Sequence, residues 1–316
     1  MEKTAAQYKE LLLNEIEKII IGKREQISLL IMSVFSGGHV LLDDLPGSGK
    51  TTLIKTLSLA MGCSFGRIQF TPDLLPSDIL GMTVFNQKTG DFELRKGPVF
   101  TNLLLADEIN RAIPRTQSAL LEAMEEHQAT IDGASLLLPS PFFVMATQNP
   151  VERESTFPLP AAQMDRFFIK MSLGYPTAEE ESLMLLRLGS SIPFDTVSPV
   201  LSPDIFAQIR KEIEAVHVDD KVREYIVNLV HATRKHNLIE TGASPRASRA
   251  LFSGSRSWAA MAGRDFVTPD DVKAIANPVL GHRITLKSQA RFSHTEPEAI
   301  IREILDSTKV PAGVSL

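Results

Sequence analysis

Residues 40–52 of this 316-residue chain read V-L-L-D-D-L-P-G-S-G-K-T-T, and the rest of the sequence can be placed around them. The short run from His39 to Leu42 is typical of a buried strand. It leads into a turn that is too rich in Gly and Pro to be helical. A helical pattern of apolar residues follows, made of Leu53, Ile54, Leu57, Ala60 and Met61. We therefore predict a strand, a loop and a helix in succession.

The loop has the composition of a phosphate-binding loop. Gly47 and Gly49 allow the backbone to bend around an anion, so that successive N–H groups and the helix N-terminus point at phosphates. Lys50 is placed to reach the β- and γ-phosphates, and the Thr51 hydroxyl to bind Mg²⁺. The pattern G-x-x-x-x-G-K-[ST] begins with a glycine, where this chain has Asp44. Taken alone, these residues also fit a Gly-rich turn before an ordinary helix.

Two carboxylates end a second apolar segment. The run from Val99 to Asp107 is apolar on both faces, as a central parallel strand requires, and Glu108 follows it. The carboxyl ends of parallel strands meet at one edge of a sheet, so this pair is expected beside the phosphate loop. There Asp107 is positioned to hold Mg²⁺ through water, and Glu108 to accept a proton from the attacking water. A pair of helix-capping residues is the alternative.

Further polar residues are candidates for the same chemistry. Asn149 ends another central strand and is positioned to orient the water, with an Asx-turn as the alternative. Arg246, at the start of a helix, is placed to swing onto the nucleotide when a lid closes. Arg166, before the last core strand, is placed to reach a neighbouring subunit's nucleotide. For both arginines the alternative is a surface salt bridge. Arg111 and Arg115 are additional candidates for the subunit interface.

Composition limits the class of protein. The net charge of −5 and the pI near 5.9 give no general attraction to nucleic acid or to acidic lipid. The single cysteine, Cys63, cannot form an internal disulfide. No apolar run reaches the roughly 18 residues of a membrane span, and no signal peptide is recognisable. We therefore expect a cytoplasmic protein.

The chain divides into two parts at Gly174. Before it, strand-like runs alternate with helical patterns, with hairpins inserted at about 71–98 and 130–138. Beyond it, helix starts follow one another, each with a capping residue and a proline: Ser202-Pro203, Ser244-Pro245 and Thr268-Pro269. We therefore predict an α/β nucleotide-binding core over residues 1–174, and a small all-helical domain with a C-terminal tail over residues 175–316.

Together these motifs resemble those of the MoxR-type AAA+ ATPases. The resemblance covers residues 21–283 and rests on D-L-P-G-S-G-K-T at 44–51, L-L-L-A-D-E-I-N-R-A at 103–112, A-T-Q-N-P at 146–150 and G-A-S-P-R at 242–246. It implies an AAA+ P-loop core, with a parallel five-stranded sheet between helices, and a helical lid. An aspartate at the position of Asp44 is usual in that family.

The resemblance also implies roles for individual residues. The Walker A residues that would bind ATP are Asp44, Leu45, Pro46, Gly47, Ser48, Gly49, Lys50, Thr51 and Thr52. Asp107 and Glu108 would belong to Walker B, with Thr51 and Asp107 as the Mg²⁺ ligands. Asn149 would be sensor 1, Arg166 the arginine finger and Arg246 sensor 2. Ile21 and Gly22 lie where the family closes over the base.

The function implied by the resemblance is Mg²⁺-dependent ATP hydrolysis that remodels or matures client proteins. A ring, expected to be a hexamer, and a partner with a von Willebrand factor A domain belong to the same expectation. The inserts at 71–98 and 130–138 resemble a helix-2 insert and a pre-sensor-1 hairpin, which are expected to face the pore of the ring.

Three other functions fit parts of the sequence. The motor subunit of a metal chelatase has a similar core, but we find no added cofactor-binding segment. A nucleic-acid translocase would grip a strand with its hairpins, yet the first hairpin carries only Lys88, Arg95 and Lys96 and the second has no basic residue. Nucleic acid is therefore an unlikely partner. A non-catalytic nucleotide switch is the third class, and Glu108 argues against it.

Overall fold

The computed structural model describes residues 3–44, 47–149, 156–188 and 192–311. The strands in chain order are β1 Val40–Asp43, β2 Phe65–Gln69, β3 Gly81–Asn86, β4 Asp91–Lys96, β5 Leu103–Asp107, β6 Gln128–Ile131, β7 Ala134–Leu137, β8 Phe143–Gln148, β9 Ile169–Met171, β10 Ile239–Thr241 and β11 Thr285–Leu286. The helices are α1 Ala5–Ile16, α2 Arg24–Phe35, α3 Lys50–Ala60, α4 Pro76–Leu80, α5 Pro114–Glu126, α6 Ala161–Met164, α7 Ala178–Leu188, α8 Pro203–Ala215, α9 Asp220–Lys235, α10 Pro245–Met261, α11 Pro269–Leu280, α12 Ser288–Phe292 and α13 Pro297–Ser307.

A five-stranded parallel sheet forms the centre of the molecule, in the order β2-β5-β8-β1-β9. The inner strands β5 and β8 are apolar and almost fully buried, which suits strands covered on both faces. Because all five strands run in the same direction, the loops that follow them leave one edge of the sheet, here called the carboxyl edge. The segments that precede them lie at the opposite edge, here called the amino edge.

Two apolar cores cover the two faces of the sheet. Successive strand residues alternate between them: Leu104 packs with α5 on one face, and Leu105 packs with α1, α2 and α3 on the other. The core that contains Leu105 continues without interruption into α8, α9, α10 and α11, through residues such as Leu229 and Leu251. The lid helices therefore share one core with the sheet and with the first two helices.

Two hairpins project from the α/β core. β3 pairs with β4, and β6 pairs with β7 around Asp132 and Gly133, whose φ angles of +48° and +82° fit a type I′ turn. The backbone N–H of Thr83 donates to the Asp132 carboxylate at 3.2 Å, so the two hairpins touch. On β3 and β4, the rings of Phe85 and Phe92 pack edge to face at 5.3 Å and are exposed by 55% and 74%.

The second part of the chain is helical, with one small addition. Strands β10 and β11 form a short antiparallel ladder beside α9. One boundary in the first part also differs from the sequence prediction: the strand expected from Val99 begins at Leu103. Residues before it turn instead, since Thr101 N–H donates to the carbonyl of Val99 at 2.8 Å. Within the described ranges, no helix combines the length and apolar content needed to span a membrane.

Candidate functional site

A cleft of about 400 Å³ opens at the carboxyl edge, where the loops after β1, β5 and β8 meet. Its lining includes Lys50 and Thr51 from the first loop, Asp107 and Glu108 from the second, and Asn149 from the third. Residues that are distant in sequence thus converge because their strands are parallel neighbours. The cleft brings together the residues that the sequence predicts for Walker A, Walker B and sensor 1.

The loop between β1 and α3 fits a phosphate group. Gly47 and Gly49 have φ angles of +84° and +82°, in the region that favours glycine, and a Cβ on either would meet no atom within 4 Å. The Ser48 hydroxyl is buried and has no hydrogen-bond partner among the described residues. Helix α3 begins at Lys50, so its free N–H groups lie at the end of the loop. Leu45 and Pro46, also predicted to bind the nucleotide, lie outside the described residues.

Asp107 is held by two donors at the end of β5. Its Oδ1 accepts a hydrogen bond from the Thr147 hydroxyl at 2.7 Å, and its Oδ2 pairs with the Arg67 guanidinium at 2.8 Å. The Asp107 carboxylate and the Thr51 hydroxyl line the same cleft. Both supply oxygen ligands, which suit Mg²⁺ together with water and phosphate oxygens. The residues present therefore fit the ion that the sequence predicts.

Glu108 adopts a left-handed backbone conformation, with φ +56°. Its N–H donates to the Thr147 hydroxyl at 2.8 Å, and its Oε2 accepts from Gln69 at 2.8 Å and from Arg111 at 3.0 Å. Such a conformation costs a non-glycine residue about 1–3 kcal/mol and persists only where surrounding contacts enforce it. These contacts hold the Glu108 carboxylate at the mouth of the cleft.

Sequence reasoning missed the three residues that make most of these contacts, namely Arg67, Gln69 and Thr147. Only a partial signal was available, because the run from Arg67 to Phe70 is typical of a strand but does not fix its register against β5. Gln69 lies in register with Asp107, and Arg67, two residues earlier, shares its face of the strand. Arg111, a candidate for the subunit interface, forms an ion pair with Glu108 of its own chain.

The predicted base segment lies against the start of α7. Ile21 is buried, with 8% of its surface exposed, and Gly22 has a φ of +69°. A Cβ on Gly22 would lie 1.8 Å from the Glu180 carboxylate, so a larger residue would displace that side chain, and the positive φ itself favours glycine. The Lys23 ammonium donates to the carbonyl of Tyr175 at 2.8 Å. These contacts join the segment before α2 to the linker after β9.

Arg166 and Arg246 lie together at the amino edge. Both line a second cavity, of about 650 Å³, and both form ion pairs with Glu125, the Arg166 Nε atom at 3.2 Å from Oε2. Arg166 precedes β9, which is parallel to β1, whereas the phosphate loop follows β1. The length of the sheet therefore separates these arginines from the cleft of their own chain.

A buried ion pair fixes this arrangement. The Asp165 carboxylate accepts from Arg283 Nε at 2.9 Å and from the Ser244 hydroxyl at 2.7 Å. Burial lowers the pKa of Arg283 to about 10. Its guanidinium also donates to the carbonyl of Phe168 at 3.0 Å. The start of α10 is held here, and Arg246 lines this second cavity rather than the cleft of its own chain. That a closing lid brings Arg246 onto the nucleotide stays a prediction.

Comparisons with known proteins agree with this geometry. Residues 39–169 match the model of the ATPase family associated with various cellular activities (AAA), and residues 231–304 match the AAA lid domain. The chain is 48% identical over 296 residues to the uncharacterized protein YeaC of Bacillus subtilis, covering 94% of this chain and 92% of that one. It is 40% identical over 306 residues to Chaperone MoxR1 of Mycobacterium tuberculosis, covering 94% and 81% of the two chains.

The fold has a close counterpart among solved structures. A provisionally assigned ATPase from Cytophaga hutchinsonii superimposes with a TM-score of 0.91 at 39% identity, over 97% of both chains. Similarity of this extent covers the sheet, the cleft and the lid together. The chain therefore belongs to the MoxR family of AAA+ ATPases, and it binds and hydrolyses ATP.

Proposed function

We propose that this ATPase works as a ring of identical subunits, expected to be a hexamer, and uses Mg²⁺-dependent ATP hydrolysis to remodel or mature client proteins. One observation carries the proposal: the nucleotide cleft lies at one edge of the sheet, and the two candidate arginines lie at the other. A subunit of this kind presents half of a catalytic site on each of two opposite surfaces. Closed assembly of identical copies would bring the halves together.

Within one subunit, the cleft residues divide the chemistry. Glu108 accepts a proton from the attacking water, which Asn149 orients from a neighbouring strand. The Lys50 ammonium and the N–H groups at the start of α3 neutralise the phosphates. When bound to Thr51 and Asp107, Mg²⁺ would withdraw charge from the phosphate oxygens.

The neighbouring subunit supplies further positive charge. Arg166 and Arg246 lie side by side, and both are partly exposed, with 31% and 45% of their side chains accessible. Each is engaged by Glu125 on α5. In the assembled ring they would exchange this carboxylate for the γ-phosphate bound in the next cleft. A lone subunit is therefore expected to hydrolyse ATP slowly.

The same proposal covers the client, a protein partner and the cellular location of the protein. One relative bears the name Chaperone MoxR1, which supports a role in handling other proteins. The exposed pair Phe85 and Phe92 offers an apolar contact for an unfolded segment on the hairpin expected to face the pore. We propose a cytoplasmic protein, a helper with a von Willebrand factor A domain, and a functional division into residues 1–174 and 175–316.

Phosphate release measured against protein concentration tests the shared site. The specific activity is expected to rise as subunits associate, and Arg166→Ala is expected to remove that rise while ATP still binds. A specific activity that is constant from dilute monomer to assembled protein would contradict the proposal. The Glu108→Gln variant, held with ATP, then serves to capture clients, with Lys50→Ala as the control that does not bind ATP.

A further inference from the structure

The Asp44 carboxylate is buried where the common phosphate-loop pattern has a glycine. Asp44 is 4% exposed, and its side chain accepts three hydrogen bonds from the segment after β9. The donors are the Ser172 hydroxyl at 2.6 Å and the backbone N–H groups of Leu173 at 2.8 Å and Gly174 at 3.1 Å. Asp44 thus ties the start of the phosphate loop to the linker that leads into the lid.

The backbone at this position does not require glycine. Gly47 and Gly49 have positive φ angles, but Asp44 does not. An aspartate therefore costs no strain here, while it supplies three contacts that glycine lacks. Aspartate differs from glycine at this position because its carboxylate connects the phosphate loop to the linker.

On one side, Asp44 is connected to the phosphate end of the cleft. Its carbonyl oxygen accepts a hydrogen bond from the Lys50 ammonium at 3.3 Å, across the loop. The loop residues between them include Ser48, whose buried hydroxyl has no partner among the residues described. The position of Asp44 therefore sets the position of the loop stem and of Lys50.

On the other side of Asp44, the linker contacts the predicted base segment, which contains Ile21 and Gly22. Directly after Gly174, the carbonyl of Tyr175 accepts from the Lys23 ammonium at 2.8 Å. Lys23 also approaches Glu180 at 3.8 Å, and Glu180 packs on Gly22. A chain of contacts thus runs from the phosphate loop through Asp44 and the linker to residues 21–23.

We propose that Asp44 is a positioning residue that holds the phosphate loop and the base segment at a fixed distance, so that one nucleotide engages both. The inference rests on the proposed contact of Ile21 and Gly22 with the base. Two subsites on one rigid body bind a linked ligand more tightly than either part, because binding at one raises the effective concentration at the other. If the connection is loosened, the ligand that engages both subsites binds more weakly. A ligand that occupies only the phosphate loop keeps its affinity.

The test compares two ligands on the full-length protein by calorimetric titration. A non-hydrolysable ATP analogue engages both subsites, and inorganic tripolyphosphate engages only the loop. The ratio of the tripolyphosphate Kd to the analogue Kd is expected to fall about tenfold in Asp44→Gly. This fall is expected although the change introduces the glycine of the common phosphate-loop pattern. Asp44→Asn retains one acceptor oxygen and is expected to give an intermediate ratio. It also keeps the test valid if the glycine variant does not fold.

Asp43→Asn is the matched control. Asp43 lies next to Asp44 and pairs with Lys170 on β9 at 2.5 Å, and among the described residues its side chain makes no hydrogen bond or ion pair with the linker. Its ratio is expected to equal that of the wild type. An unchanged ratio in the Asp44 variants, including equal weakening of both ligands, would refute the inference. A wild-type protein that binds both ligands equally would refute it as well.

This measurement is independent of the proposed function. It uses binding alone, so it does not depend on subunit assembly, on clients or on turnover. Concentration-independent hydrolysis would reject the shared site and leave the ratio of Kd values interpretable. Conversely, an unchanged ratio in the Asp44 variants would leave the shared site standing.

Discussion

At the scale of single residues, the acids of the cleft are held by neighbours that the phosphate-loop pattern does not contain. Thr147 bonds to the backbone of Glu108 and to the side chain of Asp107, so one hydroxyl orients both residues. Gln69 and Arg111 share one oxygen of Glu108. In the proposed mechanism, the other oxygen, Oε1, would accept the proton of the attacking water.

Glu108→Gln is expected to lower the rate of ATP hydrolysis by about 100- to 10,000-fold, because the amide cannot accept the proton. ATP affinity is expected to stay within a few-fold of the wild type, since Lys50 and the loop are unchanged. Phosphate release and nucleotide titration measure the two quantities. Glu122→Gln, on the exposed face of α5, is the control and should retain full activity. Wild-type turnover in Glu108→Gln would exclude Glu108 as the base.

A buried histidine gives the protein a pH dependence. His39 is 5% exposed, accepts the N–H of Val144 at its Nδ1 atom, and contacts the carbonyl of Met124 through Nε2 at 3.0 Å. Burial lowers its pKa to about 4. The unfolded chain, with a histidine pKa of about 6.5, therefore binds more protons between these values. The stability that the neutral ring contributes is fully present above pH 6.5 and is lost as the pH falls toward 4.

We expect this loss to reach about 3 kcal/mol for His39 alone. Melting temperatures measured from pH 7.5 to pH 4.5 provide the test. His39→Gln is expected to melt at a lower temperature at pH 7.5 but to show a flatter slope below pH 6.5. Parallel curves for the two proteins would show that His39 is not the titrating group.

At the scale of elements, a short segment before β9 joins the core to the lid. Asp165 binds the N-cap residue of α10, Ser244, and the turn that follows α11 through Arg283. The Arg283 side chain is only 3% exposed. Arg166, next in sequence, and Arg246, at the start of α10, are therefore carried by one rigid unit. This supports the proposal that they act on the same phosphate.

Asp165→Ala would leave the Arg283 charge buried without its carboxylate. Removal of one partner of such a pair typically destabilises a protein by about 3–5 kcal/mol. Urea unfolding measures the change. Asp270→Ala, which removes an 86% exposed partner of Lys273, is the control and is expected to cost less than about 1 kcal/mol. Equal midpoints for the two variants would mean that the buried pair contributes no more than the exposed one.

At the scale of the whole molecule, the two functional surfaces lie at opposite edges of one sheet. Neither surface contains all the charges that phosphoryl transfer requires. In the proposed ring, hydrolysis would therefore depend on the contact between subunits, and a change in that contact would change the rate.

Mixing two inactive variants tests this link. Lys50→Ala lacks a working cleft but keeps Arg166, and Arg166→Ala has the opposite defect. An equal mixture is expected to regain about a quarter of the wild-type rate, since half of the subunits keep the cleft and half of their neighbours supply the arginine. The control mixes Lys50→Ala with Glu108→Gln, two defects in the same cleft, and should stay inactive. Failure of the first mixture under assembling conditions would argue for sites completed within one chain.

Sequence patterns predict the part of the site that depends on strand order. Gly47, Gly49 and Lys50 identify the loop, and the rule that parallel strands end at one edge brings Asp107 and Asn149 to it. The pairing of Arg67 with Asp107 was not predictable in the same way, because it depends on the register between two strands. The buried bonds of Asp44 and Asp165 link segments more than 75 residues apart, and no local pattern encodes them.

The shared core of the lid and the first helices also has a consequence for biosynthesis. Helices α1 and α2 pack on α8 and α10, and the backbone N–H of Ala5 donates to Glu212 at 2.9 Å. A ribosome releases α1 and α2 long before α8 and α10 emerge. The apolar surface of α1 and α2 that these later helices cover, in the core that contains Leu12 and Ile31, therefore stays exposed in the nascent chain until most of the polypeptide has been translated, which makes this protein a candidate for protection by the chaperones that act at the ribosomal exit tunnel.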